Sequence, residues 1–110
     1  MDKELIEKII KFRDDRNWSQ FHNPKDLAIS ISLEAAELLE LFQWNNSQET
    51  MENNYQELQD ELADILIYCT LMADKLDIDL DEAVKKKLEK NQKKYPVEKS
   101  YNSKEKYDQL

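Results

Sequence analysis

The sequence contains no glycine, and this absence excludes the commonest phosphate-binding loops. P-loops and dinucleotide-binding loops use glycine because it lets backbone N–H groups approach phosphate oxygens closely. Any phosphate that this chain binds must therefore be held by side chains or by a metal ion. The single cysteine, Cys69, excludes an internal disulfide and a cysteine-rich zinc site. Its apolar helical surroundings indicate a packed thiol.

Excess positive charge and long apolar runs are also missing. The chain has 16 Lys and Arg against 24 Asp and Glu, which gives a net charge of -8. No apolar run approaches the roughly 20 residues that span a bilayer, and the acidic N-terminus is unlike a signal peptide. Because phosphate backbones and anionic lipids attract basic surfaces, we expect a soluble cytoplasmic protein that binds neither nucleic acid nor a membrane.

The spacing of the apolar residues predicts an all-α protein with four helices. Asn23 before Pro24, and Asp79 with Glu82 three residues on, are typical helix starts. Residues 1–96 are expected to form one domain, and residues 97–110 a polar tail that is extended or partly disordered. The expected helices have the approximate bounds 2–16, 24–42, 51–76 and 79–94.

The second helix is apolar around most of its circumference. Ile29, Leu33 and Ala36 lie away from the side that carries Leu27. A small domain rarely covers a helix on every side, so we expect part of this helix to pack against another subunit. The third helix carries an apolar stripe made of Leu58, Leu62, Ile65, Cys69, Met72 and Leu76.

Carboxylates interrupt the apolar side of the second helix and border that of the third. Glu34 falls on the same side as Leu27, and Glu37 follows three residues later. The third helix carries Glu57, Glu61, Asp64 and Tyr68 along one side. A single pair of this kind is most often a solvated helix face. Here, however, no Lys or Arg occurs between Lys25 and Lys75, and two antiparallel helices would gather four carboxylates without a cation.

A divalent cation is then the simplest partner for these acids. Ligation by oxygen alone favours Mg²⁺ or Mn²⁺ over zinc or copper. The only histidine, His22, lies outside both helices, which disfavours a di-iron site of the Glu-x-x-His type. Magnesium held by carboxylates usually keeps positions open for substrate phosphates, so the acids suit a polyphosphate substrate.

Other candidate ligands flank these helices. Trp18 and Trp44, with Phe21 and His22 nearby, could stack on a nucleobase or could be ordinary core residues. The fourth helix presents Lys87, Asn91 and Lys94 on one face, where they could bind phosphate or simply favour the helix dipole.

Four segments together resemble the MazG-like nucleotide pyrophosphohydrolases of the all-α NTP pyrophosphatase superfamily, and within it the dCTP pyrophosphatase branch. The resemblance implies a four-helix bundle-like MazG fold, assembled as a dimer or a dimer of dimers. One departure is that Leu33 and Ala36 stand before the two glutamates, where relatives commonly have glycine. The matching segments are RNWSQFHNPKDL (16–27), LEAAELLELFQW (33–44), DELADILIY (60–68) and KLEKNQKKYP (87–96).

The resemblance also implies a reaction and a set of site residues. The implied substrate is a nucleoside triphosphate of the dCTP kind. It would be cleaved between the α and β phosphates to the monophosphate and pyrophosphate, as in nucleotide-pool house-cleaning. Glu37 or Glu40 is the candidate base. The implied Mg²⁺ ligands are Glu34, Glu37, Glu61 and Asp64. The implied substrate contacts are Trp18, Trp44, Tyr68, Lys87 and Asn91, and His22 near Trp18 is a further candidate.

Two alternatives remain open at this point. The chain could be another pyrophosphatase of the same superfamily, acting on phosphoribosyl-ATP or dUTP. It could also be a non-enzymatic helical module whose acidic side binds a basic partner, which would require neither magnesium nor phosphate release.

Overall fold

The computed structural model describes residues 1–110, which form helices joined by turns and loops, with no strand. The predicted all-α class is therefore confirmed. None of the helices combines the length and the apolar composition that crossing a membrane requires. The elements in chain order are α1 (Lys3–Asp15), a 3₁₀ helix (Trp18–Phe21), α2 (Pro24–Glu40), α3 (Ser47–Asn53), α4 (Tyr55–Leu76), α5 (Leu80–Lys94), α6 (Val97–Ser100) and a second 3₁₀ helix (Tyr107–Gln109).

Side-chain caps start the helices that position the site. The side chain of Asn23 accepts a hydrogen bond from the backbone N–H of Asp26 at 2.9 Å, and Pro24 occupies the first helical position of α2. Asp79 caps α5 in the same way, with a bond of 3.2 Å from the N–H of Glu82. Both predicted starts are confirmed, because each cap satisfies a backbone donor that the first helical turn leaves free.

The prediction of one continuous third helix from Met51 is wrong. Two helices, α3 and α4, meet at Asn54, whose φ of -127° and ψ of 28° lie outside the helical region. Thr50 is fully buried and donates its hydroxyl to the carbonyl oxygen of Leu41 at 3.0 Å, which ties α3 to the end of α2. A cap at Asn46 and one buried hydroxyl stabilise α3. Because neither contact involves an apolar stripe, α3 leaves no periodic pattern in the sequence.

The chain divides into two units, Met1–Ile78 and Asp79–Leu110. In the first unit α2 packs mainly against α4, and α1 and α3 also pack against α4. Leu27 of α2 and Leu71 of α4 are buried at the centre of this packing. The predicted stripe of α4 is correct only in part, because Leu62 and Leu76 are exposed. Its other members, which are half-buried, are Leu58, Ile65, Cys69 and Met72.

Two pairs of apolar side chains in the first unit are not covered within the chain. Ile29 and Leu33 on α2 are exposed, and so are Leu62 and Leu66 on α4, each pair spaced by one helical turn. This is the part of α2 for which the sequence predicts a partner subunit. The assembly itself stays a prediction.

In the second unit, α5 is followed by a tail with structure of its own. The ring of Tyr107 meets the ring of Tyr95 edge to face at 6.2 Å, and Lys94 Nζ lies 4.9 Å from the centre of the Tyr107 ring. The extended tail predicted for residues 97–110 instead contains α6 and a 3₁₀ helix. Single aromatic contacts of this kind leave no periodic pattern in the sequence. The domain boundary at residue 96 stays a prediction.

The lack of glycine has a local consequence at Trp44. Four residues have a positive φ, and three of them are Asn or Asp, which tolerate the left-handed region. The fourth is Trp44, at φ 68°, where a bulky side chain is unfavourable. Trp44 is also 92% exposed, so the alternative that it belongs to the core is wrong.

We expect Trp44→Gly to be more stable than Trp44→Ala by about 1 kcal/mol, because glycine adopts a positive φ without steric cost. Neither variant should lose the roughly 3 to 5 kcal/mol typical of a buried tryptophan. Chemical denaturation of both variants and the parent measures the difference. Equal stability of the two variants would show that residue 44 is not held in the left-handed region.

Candidate active site

A cluster of carboxylates lies between α2 and α4. One oxygen from each of Glu34, Glu61 and Asp64 lies within 4.8 Å of the other two. Glu34 reaches the cluster from α2, while the spacing of three between Glu61 and Asp64 places both on one side of α4. The structure thus brings together three of the four predicted metal ligands.

The fourth predicted metal ligand, Glu37, borders this cluster. It interacts with both Glu34 and Glu61 and raises the pKa of each. Glu40, the other candidate base, is not part of the group. It lines a separate shallow cavity at the end of α2 together with Ala36, Leu39, Phe42 and Gln43.

The cluster is electrostatically unfavourable without a cation. Burial, hydrogen bonds with Glu61 and Glu37, and the negative charges of Glu37 and Asp64 raise the pKa of Glu34 to about 7. The pKa of Glu61 is also raised: its hydrogen bond with Glu34 lowers it, but burial and the neighbouring acids outweigh that effect. One buried oxygen of Glu34 and one of Glu61, Oε2 in both, have no hydrogen-bond partner.

These properties fit a hard divalent cation. All the candidate donors are carboxylate oxygens, which suit Mg²⁺ or Mn²⁺. The two unpartnered oxygens have free lone pairs within the cluster, and a buried carboxylate without a proton or a cation is costly. Proton uptake or cation binding relieves the same repulsion.

An elongated cavity of about 320 Å³ opens beside the cluster. One wall comes from α1, the first 3₁₀ helix and the residue after it, and the other wall comes from α4. Asp64 belongs to both the cluster and the cavity. The cavity brings Trp18, His22 and Tyr68 together, three of the predicted substrate contacts. The full lining is Lys8, Ile9, Phe12, Arg13, Trp18, His22, Asp64, Ile67, Tyr68 and Leu71.

His22 contributes an unused polar atom to this cavity. Burial, followed by the positive charges of Arg13 and Lys75, lowers the pKa of His22 below its ordinary value of 6.5. The imidazole is therefore neutral at pH 7. Its Nδ1 is buried and has no hydrogen-bond partner in the chain. A ligand in the cavity can supply that partner.

The structure does not place every predicted contact in the cavity. Trp44 is absent from its lining and lies exposed after the end of α2. Lys87 and Asn91 lie on α5, in the second unit. Their contacts with substrate stay predictions.

Sequence reasoning missed the residues that α1 contributes to the cavity. Phe12 meets Trp18 edge to face, with ring centres 5.7 Å apart, and Arg13 is the one buried residue of α1. The signal was present, since Arg13 follows Ile9 and Ile10 at helical spacing and interrupts an apolar stripe as Glu34 does.

Comparison with known proteins agrees with this fold. The model of the MazG-like family matches residues 29–110. dCTP pyrophosphatase 1 of Rattus norvegicus is 39% identical over 105 residues, and that of Homo sapiens is 36% identical over 105 residues. Each alignment covers 91% of this chain but only 62% of the relative, so the chain spans about three fifths of these proteins.

A solved structure extends the comparison to three dimensions. A pyrophosphatase from Archaeoglobus fulgidus DSM 4304 is 48% identical and superposes with a TM-score of 0.81, covering 86% of this chain and 91% of that one. The chain belongs to the MazG-like family, and the resemblance seen in the sequence is confirmed.

In metal-free protein we expect the melting temperature to fall as the pH rises from about 4.5 to about 7. The folded state raises the pKa of Glu34, so its stabilising proton is fully bound below the ordinary pKa and is lost as the pH passes the raised one. Glu34→Gln should flatten this dependence and raise the melting temperature near neutral pH by about 4 °C or more. Melting curves in a chelator across this range measure both effects.

Glu57→Gln is the matched control for that experiment. Glu57 is exposed on α4, one turn before Glu61, and does not belong to the cluster. Its replacement should leave the pH dependence as it is. An unchanged dependence in Glu34→Gln would contradict the assignment to Glu34.

Proposed function

We propose that the chain is a divalent-metal-dependent nucleoside triphosphate pyrophosphohydrolase that releases pyrophosphate and leaves the nucleoside monophosphate. The observation that carries this proposal is the shared position of Asp64, which belongs both to the carboxylate cluster and to the aromatic cavity. A nucleotide has a polyphosphate at one end and a flat base at the other. The carboxylate cluster matches the polyphosphate end, and the aromatic cavity matches the base end.

Glu34, Glu61 and Asp64 are the residues that would hold Mg²⁺, with Mn²⁺ as the substitute, and Glu37 borders them. When bound, the cation supplies positive charge against the polyphosphate oxygens, which favours pyrophosphate as a leaving group. The relatives' name, dCTP pyrophosphatase 1, supports a deoxynucleotide substrate of the dCTP kind. Phosphoribosyl-ATP and dUTP are the alternative substrates within the superfamily. The biological role proposed is cytoplasmic house-cleaning of the nucleotide pool.

A carboxylate beside the cluster acts as general base. Water attacks the α-phosphorus, a new P–O bond forms, and the bond from that phosphorus to the β-phosphate oxygen breaks. Glu37 interacts with Glu34 and Glu61, whereas Glu40 lies in the separate cavity. Position therefore favours Glu37 as the group that accepts the proton of the attacking water.

The aromatic cavity binds the base. Trp18 and Tyr68 offer rings for stacking, and the neutral His22 offers its buried Nδ1 as a hydrogen-bonding atom. The mostly apolar lining suits a flat aromatic base, while Asp64 lies next to the phosphates. Lys87 and Asn91 on α5 are proposed as further phosphate donors.

We further propose that the protein works as a homodimer or homotetramer. The exposed apolar side chains of α2 and α4 support this, because water solvates Ile29, Leu33, Leu62 and Leu66 poorly. Trp44, at 92% exposure, adds the largest uncovered ring of the chain.

Glu34→Gln and Asp64→Asn should each lower pyrophosphate release by at least about 100-fold, because each removes a charged ligand. The control is again Glu57→Gln, which should keep parental turnover. Pyrophosphate and monophosphate are measured across the common dNTPs and NTPs, with and without Mg²⁺. Near-parental turnover in either cluster variant would contradict the metal site, and diphosphate with orthophosphate as first products would assign a different reaction.

Trp18→Ala should raise the KM for dCTP by about 5- to 150-fold, which corresponds to the roughly 1 to 3 kcal/mol of base stacking. The kcat should change less, because stacking is similar in the ground and transition states. Trp18 is 43% exposed, so its loss should not cause the large destabilisation expected of a core residue. Melting temperature and KM are measured on one preparation. A large loss of stability with unaltered KM would contradict the stacking role, and the same pair of measurements on Trp44→Ala tests that residue.

A further inference from the structure

Asp74 and Lys75, near the end of α4, form hydrogen bonds with the other wall of the cavity, which consists of α1 and the first 3₁₀ helix. The Asp74 carboxylate accepts a hydrogen bond from Arg13 Nη1 of α1 at 2.7 Å. Lys75 Nζ donates to both the carbonyl oxygen and Oγ of Ser19, in the first 3₁₀ helix, at 3.2 Å each. The partners lie 61 and 56 positions apart in the chain, so these contacts join separate elements.

The segments held in this way carry the aromatic wall of the cavity. Phe12 directly precedes Arg13, and Trp18 directly precedes Ser19. Both rings line the cavity, opposite Tyr68 of α4. The separation of the two walls decides whether a flat ring fits between them. The contacts that set the position of α1 and the 3₁₀ helix therefore set the shape of the cavity.

Apolar packing alone holds this wall weakly. Arg13 is the one buried residue of α1, while the isoleucines beside it are half-buried. The Arg13 side chain is 8% exposed and the Asp74 side chain 38% exposed. A buried guanidinium requires a carboxylate partner, because a charge left unpaired there is costly. Arg13 also donates to Asp14 at 2.9 Å, but Asp14 is its neighbour on α1, so this second bond cannot fix α1 to α4.

We propose that the Arg13–Asp74 and Lys75–Ser19 pairs form a clamp that positions Phe12 and Trp18 for the base of the nucleotide. The clamp sets substrate affinity rather than the chemical step. Asp74 lies ten residues after Asp64 on α4, which is about 15 Å along the helix axis. Its charge is therefore remote from the carboxylate cluster. The identity of the ligand as a nucleotide rests on the proposed function. The clamp itself is a contact between two parts of the chain and does not depend on that identity.

Asp74→Ala and Lys75→Met break the two arms of the clamp. Each should raise the KM for dCTP about tenfold and change kcat by less than about threefold, because misplaced walls weaken binding while the cluster is unaltered. Arg13→Met should match Asp74→Ala, and the double variant should be no worse than either single one. Arg13→Lys, which can still reach a carboxylate, should recover part of the affinity.

Two matched controls separate the clamp from general helix stability. Asp14→Asn removes the other carboxylate partner of Arg13 and leaves the bond to Asp74. Lys11→Met removes a surface ion pair with Asp15 within α1. Both should keep the parental KM. An equal rise of KM in Asp14→Asn would overturn the clamp, as would a fall in kcat with unchanged KM in Asp74→Ala.

A second measurement needs no nucleotide. In a Trp44→Phe background Trp18 is the only tryptophan, and its fluorescence reports the position of the wall. Quenching by acrylamide should increase in Asp74→Ala and in Lys75→Met but not in the controls. Increased quenching in a protein that hydrolyses no nucleotide would contradict the proposed function and keep the clamp. Unchanged quenching in both clamp variants would overturn the clamp, even in an active enzyme.

Discussion

Concentrated negative charge between α2 and α4 is the constraint on which the rest of the structure depends. No Lys or Arg occurs between Lys25 and Lys75, so the chain supplies no cation from these two helices. The main packing of the first unit consequently contains a cluster of carboxylates in which the pKa values of Glu34 and Glu61 are raised. A fold with this arrangement is less stable near neutral pH without a cation than with one, because any ligand that binds the folded state alone adds stability. The repulsion among these carboxylates thus supports the proposed binding of a divalent cation.

α4 organises both halves of the site along its length. Glu61 and Asp64 face α2 and form the cluster, and Tyr68 and Leu71 follow at helical spacing and line the cavity. Asp74 and Lys75 then hold the far wall. Because one continuous helix carries all three groups of residues, helical geometry sets the distance from the carboxylate cluster to the aromatic cavity.

The helical spacing of charged and apolar residues explains which parts of the site could be predicted from the sequence. A charge within an apolar stripe is visible at helical spacing, and it identified Glu34 and the acids of α4. Arg13 is also a charge within an apolar stripe, but it was not recognised as such. The contribution of α1 to the cavity was therefore not predicted. The break at Asn54 and the exposure of Leu62 depend on tertiary contacts between distant residues, which periodicity does not report. Composition also could not distinguish an exposed Trp44 from a core one.

The resemblance predicts glycine at the positions of Leu33 and Ala36, and both positions bear on the packing of α2. Leu33 and Ala36 directly precede Glu34 and Glu37, yet both are exposed, Leu33 by 59%. Their side chains therefore do not separate α2 from α4, and the cluster forms without glycine. They lie instead on the uncovered face of α2, where the distance between packed helices depends on the side chains at the contact. In the proposed assembly, larger residues there would increase the apolar area offered to a partner subunit and keep its helix farther from α2. The change from the expected glycine therefore bears on the proposed assembly and leaves Glu34 in the carboxylate cluster.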